Sequence, residues 1–251
     1  EMYGDKIPFE SHSKIRSEEA CLKSTEKIIE LAKKTNSRLH VFHLSTGVES
    51  KLFSCNKPLK DKKITSEVCI HHLSFNDKDY EKKKGFIKWN PSVKTSEDQK
   101  QLWESLLEDR IDVIATDHAP HTFDEKSNNY LSCPSGGPMV QHSLSVMFEH
   151  FLNNKISLEQ IVQKMCHNPA IIFKVKNRGY IRENYYADLV VVDPKKSYTV
   201  NKDNILYKCG WSPFDGTKFN SKVIYTFVNG KLVFDNGKIN ETIRGKKISF
   251  E

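Results

Sequence analysis

The chain has 251 residues, with 39 Lys or Arg against 32 Asp or Glu, so its formal net charge is +7. This length suits one large domain or one and a half smaller ones. Fourteen Phe, nine Tyr and three Trp argue against a disordered chain, while 11 Gly and nine Pro exclude a fibrous or low-complexity one. No apolar run approaches the roughly 20 residues that a membrane span needs.

The six cysteines are scattered without a Cys-x-x-Cys pair, which is typical of reduced thiols in a cytoplasmic protein. The first residues lack the basic and apolar regions of a signal peptide. The lysines form short runs such as Lys82-Lys83-Lys84, without the interleaved Arg and aromatic residues of a nucleic-acid binding surface. We therefore interpret the positive charge as a solvated surface and expect neither a nucleic acid nor a membrane as partner.

The first half of the chain alternates helix and strand signals. Ser17 is a predicted N-cap, and apolar residues at helical spacing predict a helix from there to about Asn36. Strands are predicted over 38–44, 64–70 and 111–116, with a helix capped by Thr95 or Ser96 before the last of them. Alternation of strands with helices predicts an α/β fold with a parallel sheet or barrel.

The second half begins with a long loop over 118–138, and loops of this length inside compact domains are usually functional or disordered. Helices are predicted over 139–151 and 157–166. From about residue 179 the sequence becomes rich in strand signals, and Asn229-Gly230 predicts a tight hairpin turn. We therefore predict two domains, 1–178 and 179–251.

The sharpest chemical signal is the segment Thr116–His121, Thr-Asp-His-Ala-Pro-His, directly after a predicted buried strand. Ligands of parallel α/β folds and barrels bind at the carboxyl ends of their strands. A carboxylate from Asp117 with the imidazoles of His118 and His121 suits a metal or acid–base site. The alternative is a hydrogen-bonded turn in which Asp117 serves as a cap.

A second candidate lies at the end of an earlier strand. His43 is close to the carboxyl end of strand 38–44, and His40 lies three residues before it. Alternation along a strand predicts that His40 and His43 face opposite sides, so that only one can point into a barrel. On the next strand, Glu67 could reach a metal, but a hydrogen-bonded strand carboxylate is favoured.

Two further signals are weaker by themselves. His71-His72 follows strand 64–70 and could supply ligands, but the favoured interpretation is a strand end with one imidazole packed and the other in water. Asn90 precedes a proline, which holds it extended. Its amide can donate and accept in one plane and so suits a ring amide or a carboxylate, although by itself the segment is better explained as a simple turn.

Five segments occur in an order that is hard to obtain by chance: His43–Thr46, Glu67–Leu73, Lys88–Pro91, Ile114–His121 and Gly179–Asp193. Together they resemble the dihydroorotases of the amidohydrolase superfamily over nearly the whole chain. The resemblance implies a (β/α)8 barrel with one or two Zn²⁺ ions that interconverts N-carbamoyl-L-aspartate and L-dihydroorotate.

The resemblance also implies roles for individual residues. His43 and Asp117 would be metal ligands, and Asp117 would also move the proton as general acid and base. Asn90 and His121 would bind the ring and carboxylate of the small-molecule substrate. The backbone around Ser135 and Gly136 would close over the ring.

Other ligands of the family are expected upstream of these segments: a strand-one His-x-His, a bridging strand-four lysine or aspartate, and a strand-five histidine. No such His-x-His pair occurs in the 251 residues. The chain therefore resembles the C-terminal portion of the enzyme: a partial TIM-type barrel, about strands six to eight with their helices, plus part of a small β-sandwich domain. We expect it to be inactive alone, and to associate with the missing N-terminal half or to form a homo-oligomer.

Three alternatives stay open. The first is a cyclic amidohydrolase of the dihydropyrimidinase, hydantoinase or allantoinase type. The second is a barrel homologue that has lost its metal and acts as a scaffold, which the missing ligands keep open although Asp117, His43 and Asn90 argue against it. The third and weakest is a nucleic-acid binder, based on the net charge of +7.

Overall fold

The structure is a computed structural model that describes residues 6–251. Two compact units divide the chain, one comprising Glu1–Ser143 with Ile205–Pro213 and the other Leu144–Asn204 with Phe214–Glu251. The chain crosses between them three times, because the segment 205–213 returns to the first unit. The boundary at 178/179 stays a prediction, since the compact units describe how the chain packs and not where its sequence character changes.

The first unit is built from helices of four to 17 residues and three strands. Its elements, in chain order, are α1 (His12–Ile15), α2 (Glu18–Lys34), β1 (Leu39–Leu44), α3 (Gly47–Ser50), β2 (Ile64–Cys69), α4 (Ile70–Ser74), α5 (Tyr80–Lys83), α6 (Ser96–Leu107), β3 (Val113–Ala115) and α7 (Phe123–Lys126). Short 3-10 turns occupy Phe9–Ser11, Leu59–Asp61, Asp77–Asp79 and Lys84–Ile87.

The three strands form a parallel sheet in the order β1-β2-β3. Five of the six residues of the central strand β2 are buried, as expected when both faces of a parallel sheet are covered. The register between β1 and β2 shifts between Val41 and Leu44, so the regular pairing is interrupted next to His43. The predicted α/β class is confirmed, with all three strands running in the same direction.

Local capping sets the helix boundaries of this unit. The side chain of Ser17 accepts a hydrogen bond from the backbone N–H of Ala20, and α2 starts at the next residue, as predicted. Thr95 and Asp98 form a reciprocal capping box at the start of α6. On α6, Trp103 is buried and donates from Nε1 to the carbonyl of Leu73, 3.0 Å away, which ties α6 to α4.

The second unit is richer in antiparallel strands. Helix α8 (Val140–Leu152) enters it from the first unit, and its other elements are α9 (Leu158–Val162), a π-helical turn over Gln163–His167, α10 (Asn168–Ile172), β4 (Leu189–Asp193), β5 (Tyr198–Thr199), β6 (Lys218–Phe219), β7 (Lys222–Val228), β8 (Lys231–Asp235) and β9 (Lys238–Ile239).

One antiparallel sheet of this unit has the order β4-β7-β8-β9, and β5 pairs with β6 in a second. Asn229 and Gly230 have φ angles of 52° and 78° and connect β7 to β8, which confirms the predicted hairpin. Ser157 forms a capping box with Gln160 at the start of α9, also as predicted. Among residues 6–251, no helix combines the length and the apolar character needed to cross a membrane.

Candidate functional site

Two strand ends bring the strongest sequence candidates together. His43 lies next to the last residue of β1, and Asp117 lies two residues after β3. The Nε2 atom of His43 is 3.6 Å from Oδ1 of Asp117, and both side chains are about a quarter exposed. Both residues have left-handed backbones, with φ angles of 57° and 43°. We call His43 and Asp117 the strand-end pair.

The imidazole of His43 is positioned by two residues of β2. Its Nδ1 atom donates to Oε1 of Glu67, 2.8 Å away, and Sγ of Cys69 lies 3.1 Å from the same nitrogen. Because Nδ1 carries the proton, the lone pair of the neutral ring is on Nε2, the nitrogen that faces Asp117. A carboxylate that orients a histidine in this way is a common support for a metal ligand.

Glu67 also contacts His40, which corrects one expectation. The Nε2 atom of His40 is 3.2 Å from Oε2 of Glu67, while Nδ1 of His40 is 2.8 Å from the hydroxyl of Thr65. The prediction that His40 and His43 face opposite sides is wrong. The left-handed backbone at His43 and the register shift beside it break the strict alternation of a regular strand, so both rings reach one carboxylate.

Glu67 and His43 each shift the pKa of the other. Burial would raise the pKa of Glu67, but the hydrogen bonds and charges of His40 and His43 outweigh burial and lower its pKa to about 2. Burial would lower the pKa of His43, but the hydrogen bond to Glu67 and the charge of Asp117 raise it. Glu67 is therefore ionised at neutral pH, and its favoured interpretation as a hydrogen-bonded strand carboxylate is confirmed.

The loop segments proposed to surround a substrate are joined to one another by hydrogen bonds. The Nε2 atom of His121 is 3.1 Å from the carbonyl oxygen of Ser135, and the backbone N–H of Gly136 donates to the carbonyl of Lys88, at 2.9 Å. Gly136 has a φ of 127°, and a Cβ there would lie 2.5 Å from the carbonyl oxygen of Ala119. Only a glycine at position 136 allows the backbone there to approach Ala119 this closely.

Two buried lysines fix the loop over 118–138. Lys88 donates from Nζ to the carbonyls of Tyr130 and Cys133, at 2.7 and 2.6 Å. Lys126 donates to the carbonyl of Pro134, at 2.8 Å, and burial together with the charge of Lys88 lowers the pKa of Lys126 to about 8. The long loop therefore has an internal frame, which includes α7 and was not predicted.

Asn90 is exposed at the start of the cis Asn90-Pro91 bond. The residue before it, Trp89, is completely buried, and its carbonyl accepts a hydrogen bond of 2.7 Å from Nε2 of His12. The Nδ1 atom of His12 accepts from the hydroxyl of Tyr130, also at 2.7 Å. A buried histidine thus anchors the backbone from which the Asn90 amide projects.

The structure overturns the interpretation of His71-His72. Both residues are buried, at 0 and 2% exposure, so neither imidazole is in water. Burial lowers the pKa of His71 far below its usual range and lowers that of His72 to about 3. Both rings are therefore neutral at physiological pH.

Within the described residues, ligand atoms within 4.8 Å of one another occur in two sets of three: His43, Glu67 and Cys69, and Cys69, His71 and His72. The strand-end pair itself offers an imidazole nitrogen and a carboxylate oxygen, which are ordinary Zn²⁺ ligands. Their chemistry and spacing fit a shared ion, but they supply two ligands, and a catalytic zinc normally has three from protein.

The amidohydrolase family model matches residues 19–233. The chain belongs to this family. The match includes both members of the strand-end pair, together with the loop segments that contain Asn90, His121, Ser135 and Gly136.

Curated relatives are dihydroorotases. The dihydroorotase of Pyrococcus horikoshii is 36% identical over 225 residues, which cover 89% of this chain and 51% of the relative. The dihydroorotase of Carboxydothermus hydrogenoformans is 37% identical over 207 residues, covering 82% of this chain and 48% of the relative. The chain thus spans about half the length of the curated relatives it matches.

Solved structures of two enzymes share the fold. An L-hydantoinase (dihydropyrimidinase) from Arthrobacter aurescens superposes with a TM-score of 0.79 at 25% identity, over 87% of this chain and 49% of that one. The dihydropyrimidinase of Brevibacillus agri gives a TM-score of 0.82 at 23% identity, over 94% of this chain and 53% of that one. The second likeness is one of fold alone.

Proposed function

We propose that this chain contributes the carboxyl-terminal half of the active site of a dihydroorotase, which interconverts L-dihydroorotate and N-carbamoyl-L-aspartate in pyrimidine biosynthesis. The observation that carries the proposal is the 3.6 Å approach of Asp117 to the imidazole of His43, whose other nitrogen is held by Glu67. The names of the relatives support the same substrate class.

His43, through Nε2, and Asp117, through a carboxylate oxygen, would hold Zn²⁺ in the working enzyme. When bound, zinc makes hydroxide available at neutral pH and polarises the carbonyl that is attacked. The two ligands of the strand-end pair fall one short of a usual catalytic site, so further ligands would come from other strands of a (β/α)8 barrel. This chain would then form about strands six to eight of that barrel and part of a small β-sandwich domain.

Asp117 is the group that moves the proton. In hydrolysis, water adds to the ring carbonyl and the carbon–nitrogen bond of the ring breaks. Asp117 accepts the proton that the attacking water loses and returns it to the departing ring nitrogen, so that one proton is conserved through the step. Cyclisation reverses these steps: the same carboxylate accepts the proton of the carbamoyl nitrogen as the carbon–nitrogen bond forms, and returns it to the oxygen that leaves as water.

The remaining predicted residues would bind the substrate. The amide of Asn90 projects from an anchored backbone and can pair with the ring amide. The imidazole of His121, close to the carbonyl of Ser135, would lie beside the substrate carboxylate, where a hydrogen-bonding or cationic group gives a charge-assisted contact. The close approach at Gly136 would let the loop backbone cover the ring.

The proposed setting is the cytoplasm, which suits six cysteines that are all free in the part of the chain described. The proposed partners are a small-molecule substrate and the protein segments that complete the barrel, either an N-terminal half or another copy in a homo-oligomer.

The test joins this chain to the part of the Pyrococcus horikoshii relative that lies outside the matched half. With Zn²⁺, we expect the chimera to cyclise N-carbamoyl-L-aspartate, and the 251-residue chain alone to show no comparable turnover. Asp117→Asn should lower kcat of the chimera by roughly 10²- to 10⁴-fold, because it removes the proton carrier and a metal ligand. Asp124→Asn, at an exposed position of α7, is the matched control.

Turnover by the isolated chain at ordinary enzyme rates would contradict the need for further ligands. Full activity of the Asp117→Asn chimera would contradict the assignment of the proton carrier.

A second candidate is a hydantoinase or dihydropyrimidinase, which the likeness to the Arthrobacter aurescens enzyme favours. The two substrate classes differ in the carboxylate carried by dihydroorotate. If the first proposal is right, the chimera hydrolyses dihydroorotate in preference to dihydrouracil, and His121→Asn raises KM for dihydroorotate. Preference for dihydrouracil would favour the second candidate.

A further inference from the structure

The junction between β2 and α4 carries a group of metal-ligand side chains that the proposed reaction does not use. Cys69 ends β2, and His71 and His72 lie in the first turn of α4. Their exposures are 0, 0 and 2%, and their ligand atoms lie within 4.8 Å of one another. We call Cys69, His71 and His72 the junction cluster.

The tautomer of His72 leaves a nitrogen available inside the cluster. Its Nε2 atom donates to the carbonyl of Pro91, at 3.1 Å. In the neutral ring the lone pair is then on Nδ1, which is buried and has no hydrogen-bond partner among the described residues. Histidines that bind metals usually donate their other ring N–H to a carbonyl or carboxylate in this way.

His71 has two such nitrogens. Both Nδ1 and Nε2 are buried and lack a hydrogen-bond partner among residues 6–251. One face of the ring stacks on Trp89, with centroids 4.2 Å apart and planes 9° from parallel. Stacking covers the face and leaves the nitrogens at the ring edge, in the plane where a metal is bound. A buried imidazole without partners is costly unless an ion or a water satisfies it.

The thiol of Cys69 completes the cluster. Its Sγ atom is 3.1 Å from Nδ1 of His43, but that nitrogen donates its proton to Glu67 and has no lone pair for a thiol proton. The sulfur is therefore not committed to His43 as a hydrogen-bond donor. A cation bound between the sulfur and the two imidazoles would stabilise the thiolate in a buried position.

We propose that Cys69, His71 and His72 bind a thiophilic cation of the Zn²⁺ class, at a site separate from the strand-end pair. One thiolate and two neutral imidazoles are ligands that Zn²⁺ accepts and that Mg²⁺ and Ca²⁺ do not favour. The bound ion joins the end of β2 to α4, and through the contact of His72 with Pro91 it stabilises the segment that precedes α6.

The experiment titrates the 251-residue chain with Co²⁺, a spectroscopic substitute for Zn²⁺. A thiolate ligand gives a near-ultraviolet charge-transfer band that the imidazole and carboxylate of the strand-end pair cannot give. We expect one thiolate-bound ion per chain and loss of the band when Zn²⁺ is added. Cys69→Ser should abolish the band, whereas Cys133→Ser, at another buried cysteine, should leave it unchanged.

The two histidines are tested separately from His43. His71→Asn and His72→Asn should each weaken Co²⁺ binding by roughly tenfold or more, and His43→Asn should leave the band in place. If His43→Asn removes the band while both α4 variants keep it, the thiolate belongs to the set formed with His43 and Glu67, and the proposal is overturned.

X-ray absorption of the Zn²⁺-loaded wild-type chain gives a test that needs no variant to fold. One sulfur and imidazole nitrogens around the same ion support the proposal, and an ion without sulfur overturns it. Absence of the band from the folded wild-type chain overturns it equally. These readouts report ligation and not turnover, so failure of the proposed function would leave them unchanged.

Discussion

The parallel sheet of the first unit and the four-stranded antiparallel sheet of the second differ in how far their side chains are buried. In β2 five of six residues are buried, whereas no residue of β4 is buried, and Val190 and Val191 are 48 and 45% exposed. Polar groups that enter the buried sheet must find partners there. Glu67 does so with two histidines, and this requirement concentrates the chemistry of the described chain at the strand ends of the first unit.

Among matched substitutions in the two units, we expect the largest difference in the free energy of unfolding at glycines with positive φ. Gly136→Ala should lower the free energy of unfolding by about 4 kcal/mol, because the backbone conformation is strained for alanine and its Cβ would lie 2.5 Å from the carbonyl of Ala119. Gly237→Ala, at a φ of 105° with no atom within 4 Å of the new Cβ, should cost about 1–2 kcal/mol. Urea unfolding measures both, and equal losses would refute the close loop contact.

A second difference between the units should appear in how their histidines change the stability of the chain on acidification. Burial lowers the pKa of His12 from 6.5 to about 4, so the unfolded chain binds more protons between these two values. The stability that neutral His12 contributes is therefore complete above pH 6.5, decreases as the pH falls towards 4 and is constant below it. Between pH 7 and 4 the wild type should lose about 3 kcal/mol more than His12→Gln, whose amide stays uncharged.

The matched control for this pH effect is His167→Gln. His167 is half-buried in the second unit, so its contribution to the pH dependence should be smaller. Urea unfolding at the two pH values gives the comparison. Parallel pH profiles for the wild type and His12→Gln would show that His12 titrates normally in the folded chain.

We expect the smallest of the three effects when the same Val→Ala substitution is made in each of the two sheets. Val68 is completely buried in β2, and Val190 in β4 is 48% exposed. Val68→Ala should cost about 2 kcal/mol, since it removes two buried methyl-sized groups and leaves a cavity. Val190→Ala should cost at most about 0.5 kcal/mol. Similar losses in urea unfolding would indicate that the valine in β4 is covered in solution.

Elements with local signals were predictable from the sequence. Ser17 and Ser157 cap helices through bonds to residues three positions away, and Asn229-Gly230 tolerates the positive φ of a tight hairpin, so each signal lies within a few residues. Helix α7 was missed although Thr122 and Glu125 form a capping box, because a four-residue helix has no hydrophobic period to support that signal.

The approach of Asp117 to His43 was predictable from the sequence, but the contacts that surround the two side chains were not. Asp117 and His43 stand at recognisable strand ends, whereas the shared contact of His40 and His43 with Glu67 depends on a single left-handed residue. His71 stacks on Trp89, 18 positions away in the chain, and His72 donates a hydrogen bond to the carbonyl of Pro91, 19 positions away, so the burial of both imidazoles involves a segment distant in sequence. Neither effect leaves a periodic pattern in the sequence.

The left-handed backbones of His43 and Asp117 restrict which residues these positions can hold. Histidine, aspartate and asparagine visit positive φ more readily than other side chains, and β-branched residues are strongly disfavoured there. The backbone conformation and the proposed metal-ligand role thus favour the same few residue types at both strand ends. If the pair holds an ion as proposed, any redesign for a different ion is confined to these residue types unless the surrounding turns are rebuilt first.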